Sequence, residues 1–243
     1  MLLVKQPHPM PLFIHLFHIP SLLLETPLHI ARAALSPEES TSASNIKAER
    51  RLHEFIYGRY YLKHALAKHL NTPIENIIFK KHSHGKLYLE GNPTAFNLTH
   101  SGEYLAYAIS DEGDIGVDIE HPQRKMSDLA SIAERYFTQE ESQALKRLSG
   151  AAQTQLFYKI WTLKEAALKT VGTGISAGLD RINAEAMDLS QPQTLALEHS
   201  RHALWFEYWY QPLGFNNVFL SIALEPKFTG APKPDFRLVH TKQ

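Results

Sequence analysis

Two hydrophobic periods alternate along this chain. From Leu12 to Ile19 the run LFIHLFHI is short and almost wholly apolar, which predicts a buried strand. Small and polar residues at 36–45, SPEESTSASN, interrupt it and suit a loop or the start of a helix. From Ile46 the period lengthens: Leu52, Phe55, Ile56, Arg59, Tyr60, Leu66 and Leu70 recur at helical spacing until Asn71 and Pro73 stop them. Short strand-like runs follow at 75–79, 86–90, 95–99, 103–109 and 115–120. The turn signals HSHG, GNP, HSG and DEGD separate them, as in a meander. Helical spacing returns over 127–137, 138–148 and 155–171, the last ended by GTG at 172–174. Strand patterns resume at 204–211 and 217–225, and the tail APKPDFRLVHTKQ is expected to be loose.

The order is strand, long helix, strands, then helices, long helix, strands. Two halves, 1–112 and 113–243, each with a long helix on a small antiparallel sheet, account for it, and the class is α+β. No residue-level repeat links them.

Composition narrows the functions. The chain has 243 residues, 44% hydrophobic and 21% charged, enough for one large domain or two small ones with a substantial core. Twenty-five basic residues balance 25 acidic ones, so no global field favours nucleic acid or a membrane surface, although a local basic patch stays open. Cysteine is absent, which excludes disulfides and thiolate chemistry and fits a reducing cytoplasm. Pro7, Pro9, Pro11 and Pro20 interrupt the apolar amino terminus, so neither a membrane span nor an export signal is expected.

The stretch DIGVDIE at 114–120 raises a chemical question. Ile115, Val117 and Ile119 share one face of a strand, and Gly116, Asp118 and Glu120 share the other. Two adjacent carboxylates repel unless water, a proton or a cation lies between them. The pair is therefore either the solvated face of an edge strand or part of a divalent-metal site. On the helix IWTLKEAALKTV, Trp161, Glu165 and Lys169 are four apart and share a face. Glu165 and Lys169 fit a surface ion pair worth ~0.2–0.5 kcal/mol. Alternatively, Glu165 joins Asp118 and Glu120 as a third oxygen ligand of the kind Mg²⁺ favours.

Other polar segments are ambiguous in the same way. The turn in FNLTHSGEY (96–104) offers amides, hydroxyls and an imidazole that suit a phosphate or a self-bonded turn. Lys80, Lys81 and Lys86 of KKHSHGK neutralise phosphates or merely solubilise a hairpin. Glu141 completes the capping box Thr138-Gln139-Glu140-Glu141 and is equally a candidate base. The 14 histidines include no HExxH pattern, and a structural zinc site is not expected.

Taken in order, FNLTHSG, IGVDIE, RYFTQEE and IWTLKEAALKTVGTGIS resemble the 4′-phosphopantetheinyl transferases of the larger, surfactin-synthetase-activating type. The likeness runs over roughly 81–176, and YGR at 57–59 also fits. It implies two pseudosymmetric α+β halves with the active site in the cleft between them. It also implies a reaction: coenzyme A gives its phosphopantetheine arm to a serine of an apo acyl or peptidyl carrier protein, releasing adenosine 3′,5′-bisphosphate, with Mg²⁺ as cofactor. Asp118, Glu120 and Glu165 then match the metal-binding acids. Thr99 and His100 match residues that contact coenzyme A, the histidine near its 3′-phosphate. Lys81 and Lys86 match basic positions around a G-K-P stretch, Arg50 a phosphate-binding arginine, and Lys164 and Lys169 helix lysines facing the pyrophosphate. Lys169 would stabilise the departing phosphate, and Glu141 or Glu120 would serve as general base. The carrier would dock on 127–148, through Phe137 and nearby apolar residues.

Two departures stand out: G-K-P is Gly85-Lys86-Leu87, and SPEESTSAS carries no basic residue, so the Arg50 match depends on the alignment there. The resemblance carries expectations of a monomeric cytoplasmic enzyme without nucleic-acid or membrane partners. A Mg²⁺-dependent hydrolase of coenzyme A or a nucleotide is the enzymatic alternative; a dead carrier- or CoA-binding module is the other.

Overall fold

The computed structural model describes residues 11–122, 128–174 and 178–240. The amino-terminal stretch 1–10, Ser127, Ile175 with Ser176, and 241–243 of the expected tail lie outside the described residues. The apolar run at the start forms strand β1 (Pro11–His18). Two short helices follow where no helix was expected, α1 (Ile19–Glu25) and α2 (Leu28–Ala33). The polar SPEESTSASN segment is a helix, α3 (Pro37–Ser44), fixed by a capping box between Ser36 and Glu39 with Pro37 at its first turn. Then come the long helix α4 (Glu49–His69) and strands β2 (Phe79–Lys81), β3 (Leu87–Leu89), β4 (Ala95–Ser101), β5 (Tyr104–Ser110) and β6 (Gly113–Glu120). Helices α5 (Leu129–Tyr136), α6 (Gln139–Lys146) and α7 (Gly150–Val171) precede strands β7 (Trp205–Tyr210), β8 (Phe219–Pro226) and β9 (Asp235–His240).

The class is α+β, as the periodicity predicts. One sheet has the order β4-β5-β1-β9, a second β6-β8-β7, and β2 and β3 form a hairpin. The expectation of a loose tail is overturned: Asp235–His240 pairs in parallel with Pro11–Leu16, so the last strand lies beside the first. That pairing adds a parallel edge to a sheet otherwise antiparallel.

Burial divides the apolar side chains into three groups. Ile56, Tyr57, Leu62 and Leu66 of α4 pack with Phe17, Phe96, Leu105 and Tyr107 on one face of the first sheet. Phe157, Ile160, Leu163 and Leu168 of α7 pack with Phe206, Phe219 and Ala223 on the second. Between the sheets, Ile14, Leu16 and Ala106 meet Ile115, Val117, Ile119, Leu220 and Ile222. Each sheet thus carries one long helix, and alternation along β6 sends its aliphatic residues into the shared core. Among the described residues no helix is long and apolar enough to cross a membrane.

Candidate active site

The site lies where the two sheets meet edge to edge. β4 and β6 belong to different sheets, and side chains join them. Asn97 Oδ1 accepts from Val117 N at 2.9 Å, and Ser101 Oγ donates to Glu120 Oε2 at 2.8 Å while accepting from His121 N at 3.1 Å. Thr99 Oγ1, between them, lies 3.4 Å from Asp118 Oδ1. Residues 97, 99 and 101 share one face of β4, so one strand parity supplies every link.

Gly116 brings the long helix onto this seam. A Cβ there would lie 2.1 Å from Ala166 O and 2.5 Å from Thr170 N, a separation only glycine permits. Its strand neighbours two and four residues on, Asp118 and Glu120, face the same helix. α7 presents Trp161, Glu165 and Lys169 to them one turn apart. Lys169 Nζ donates to Asp118 Oδ1 at 2.5 Å and to Thr99 Oγ1 at 3.1 Å. β6 is an edge strand but its polar face is not solvated, and the surface ion pair is not formed: Asp118 is 4% and Glu165 6% exposed, and Lys169 pairs with Asp118.

Burying these acids together disfavours their charge. Glu165 is pushed up to about 7 by burial and then by Asp118, with Lys169 opposing. Glu120 is likewise pushed up to about 7, by burial and by Asp118, while Ser101 and Trp161 hold it down through hydrogen bonds. Asp118 is raised by burial against the pull of Lys169. Asp118 Oδ2 and Glu165 Oε1 are buried with no hydrogen-bond partner. Two enclosed carboxylate oxygens with unfilled lone pairs, beside the Glu120 carboxyl, are the chemistry a hard divalent cation completes. Among the described residues, however, no three such side chains are drawn together tightly enough to clasp an ion as they stand.

Beside the acids opens a cavity of about 640 Å³ between the start of α4, the β2–β3 turn and β4. Lys47, Arg51, Arg59, Lys86 and His100 line it, with Glu54 the acid among them. Half-exposed at its wall, His100 is pushed down to about 4 by desolvation and by Lys169, Arg51, Arg50 and Arg59. Its Nδ1 lies 3.2 Å from Glu54 Oε2, whose carboxyl burial raises, so burial drives both members of that pair towards neutrality. A neutral ring ringed by cations marks a place built for anions.

The sequence-predicted residues separate into two groups. Asp118, Glu120, Glu165, Lys169 and Thr99 meet at the seam, and His100 and Lys86 line the adjoining cavity. Lys86 is turned inward: its Nζ donates to Thr170 O at 2.7 Å and Ile115 O at 3.2 Å, tying its hairpin to the end of α7 and to β6. Lys81 is exposed on β2 outside the cavity wall. Arg50 lies 3.4 Å from Glu54 and faces a shallower cavity with His53 and Glu103; its neighbour Arg51 lines the main one.

Lys164 and Glu141 need a larger correction. Both are fully buried and paired with each other, and Lys164 Nζ also donates to Leu179 O at 2.9 Å. Glu141 Oε1 accepts from Ala184 N at 2.7 Å, and Oε2 accepts from Thr138 N at 2.9 Å in the expected capping box. Both side chains are enclosed and committed to each other: α7 is covered around its middle, and Lys164 lies about 100° round the helix from Glu165. Phe137 is also buried, its ring tilted against that of Phe157, so its own side chain is not open to a partner. Sequence reasoning missed Arg51, Arg59, Asn97 and Ser101. The signals were there: Arg51, Phe55 and Arg59 are four apart, and 97, 99 and 101 share a parity.

Comparison with known proteins places the chain in a family. The profile of the 4′-phosphopantetheinyl transferase superfamily matches residues 114–223, which include the three acids and Lys169. HetI of Nostoc sp., a 4′-phosphopantetheinyl transferase, is 33% identical over 168 residues, 67% of this chain and 70% of that protein. The chain belongs to the 4′-phosphopantetheinyl transferase superfamily. Slr0495 of Synechocystis sp. is 36% identical over 154 residues, and psf-1 of Bacillus pumilus, a 4′-phosphopantetheinyl transferase, 33% over 158. The matched stretch spans 62% of the first and 66% of the second.

Proposed function

We propose that this chain transfers the 4′-phosphopantetheine arm of coenzyme A to a serine hydroxyl of an apo acyl or peptidyl carrier protein, releasing adenosine 3′,5′-bisphosphate. The observation that carries the reading is the closeness of two unlike regions: the acids Asp118, Glu120 and Glu165 with Lys169, and a cation-lined cavity. A nucleotide diphosphate spans such regions, its phosphates on the cations and its pyrophosphate towards the acids. Membership of the superfamily and the names of HetI and psf-1 support it.

Asp118, Glu120 and Glu165 would hold Mg²⁺, and the ion would supply charge that neutralises the pyrophosphate. The remaining chemistry belongs to the chain. Arg51, Arg59 and His100 orient the nucleotide, and Lys169 donates to phosphate oxygens where charge builds up. Thr99 fixes the Lys169 ammonium. Of the two candidate bases, Glu120 is partly exposed and held by Ser101, whereas Glu141 is enclosed, so Glu120 receives the serine proton, directly or through one water. Two sheets that share a core and meet along β4 and β6, each with a long helix, support pseudosymmetric halves with the site in their cleft. A monomeric cytoplasmic enzyme completes the reading.

Incubation with coenzyme A, Mg²⁺ and an apo carrier tests it. A mass gain of one phosphopantetheine on the carrier supports transfer. Cleavage of coenzyme A that ignores the carrier points to hydrolysis, and binding without either reaction points to a dead module.

A further inference from the structure

Arg59 in the cavity wall is held by an acid from a different helix. Its Nε lies 3.1 Å from Glu39 Oε1, and Lys63 Nζ lies 2.6 Å from Glu39 Oε2. All three side chains are nearly buried, at 11%, 12% and 3% exposed for Arg59, Glu39 and Lys63. Lys63 Nζ is anchored further by donating to Ala34 O at 2.9 Å. The Arg59 guanidinium lies over the rings of Phe55 and Phe79, 5.0 and 5.4 Å from their centres. Those contacts restrict the guanidinium of a residue that lines the cavity.

The charges do not cancel. One carboxylate serves two cations, so the group carries a surplus positive charge beside the cavity. Glu39 Oε1 and Arg59 Nε, although close, are not aligned as a hydrogen bond. Glu39 therefore acts on Arg59 as a charge, offsetting the burial that weighs against the guanidinium, and does not consume its hydrogen-bond donors. Among the described residues no acceptor binds the terminal nitrogens of Arg59. Glu39 also closes the capping box of α3, with Oε2 accepting from Ser36 N at 2.9 Å and Ser36 Oγ accepting from Glu39 N at 3.2 Å. The segment that carries no basic residue thus shapes the cationic cavity from behind.

We infer that Glu39 is a positioning residue for nucleotide binding: its carboxylate holds Arg59 against the cavity so that the guanidinium's outer nitrogens meet a phosphate group of the bound nucleotide. The inference rests on the coenzyme A reading but is tested by binding, which does not require transfer to occur.

Glu39→Gln separates the two roles of this side chain. Glutamine still accepts from Ser36 N and keeps the box, but the charge is gone. Calorimetric titration of the full chain with adenosine 3′,5′-bisphosphate should show about tenfold weaker binding for Glu39→Gln, the loss of roughly one charge-assisted contact. Where transfer is measurable, KM for coenzyme A should rise by a similar factor with kcat little changed. Ser36→Ala breaks the box and spares the charge, so it should lower the melting temperature and leave affinity alone. In an Arg59→Lys background, Glu39→Gln should add no further loss. Unchanged affinity in Glu39→Gln overturns the inference. So does a loss in Ser36→Ala equal to that in Glu39→Gln, or additivity with Arg59→Lys. If the parent chain binds the bisphosphate but modifies no carrier, the functional reading fails while these arms still decide the role of Glu39.

Discussion

Lys169 Nζ stands 2.5 Å from Asp118 Oδ1 and 3.1 Å from Thr99 Oγ1, so one ammonium ties helix α7 to both strands of the seam. The same nitrogen is the donor assigned to the departing phosphate. A phosphate bound there would compete with Asp118 for it, and a cation held at Asp118 would relieve that competition.

Removing an acid should therefore uncouple stability from activity. Asp118→Asn or Glu165→Gln should cut carrier modification by on the order of 10²–10³-fold. Glu165→Gln should melt at the parent temperature or above it, because a buried carboxylate repelled by Asp118 and Glu120 is lost. Steady-state transfer and thermal unfolding check both. Near-normal turnover with Mg²⁺ present in either variant would refute the metal assignment.

The Glu141–Lys164 pair should behave in the opposite way. Lys164→Met strands a fully buried carboxylate and should cost about 3–5 kcal/mol in denaturant unfolding. Glu141→Gln keeps the capping box and should lower stability while transfer stays within a few-fold of the parent. A collapse in rate at an unchanged melting temperature would return Glu141 to the role of base.

Lys86 supplies a pH signature. Burial pushes its amine down to about 8, with Asp114 and Glu225 opposing. Between pH 8 and its ordinary value near 10.5 the unfolded chain binds a proton that the folded chain does not, so this group's contribution to stability rises with pH there. Below pH 8 both states are protonated and the contribution is flat. Lys86→Met should abolish that rise in a stability profile and orphan the carbonyls of Thr170 and Ile115. Identical profiles for parent and variant would count against the buried placement.

His100 should report the arrival of an anion. In the free protein it is pushed down to about 4, so its contribution to stability rises from pH 4 to its ordinary 6.5 and is flat above. A phosphate offsets the surrounding cations and raises the ring's pKa, so binding takes up a proton and strengthens as pH falls through 6. Calorimetry of coenzyme A binding in buffers of differing ionisation enthalpy measures that uptake, and His100→Asn should remove it. Binding that releases protons would contradict the arrangement.

Legibility in the sequence followed the range of the interactions. The alternation at 115–120 and the helical spacing at 161–169 are local, and both were readable because a single period fixes a face. β9 was not, since its partner is more than two hundred residues away and its own pattern is weak. α1 and α2 were hidden for a similar reason: at six to seven residues they are too short to show a period, and Ile19, Leu22 and Ala31 are held by tertiary packing. Arg50 and Arg51 differ by one residue but project about 100° apart, so the right arginine could be told only from the phase of α4. Lys164 illustrates the limit of motif matching. Its place in WTLKEA was clear, yet a helix enclosed on most sides gives adjacent residues opposite fates.

The junction of β4 and β6 behaves as a zipper whose teeth are functional groups. Because side chains hold the amides of Val117 and His121 there, each can release singly while the ladders within either sheet stay intact. A replacement at Asn97 or Ser101 should accordingly alter reactivity and adhesion together. Hydrogen exchange at those two amides would read the assembly of the catalytic apparatus directly.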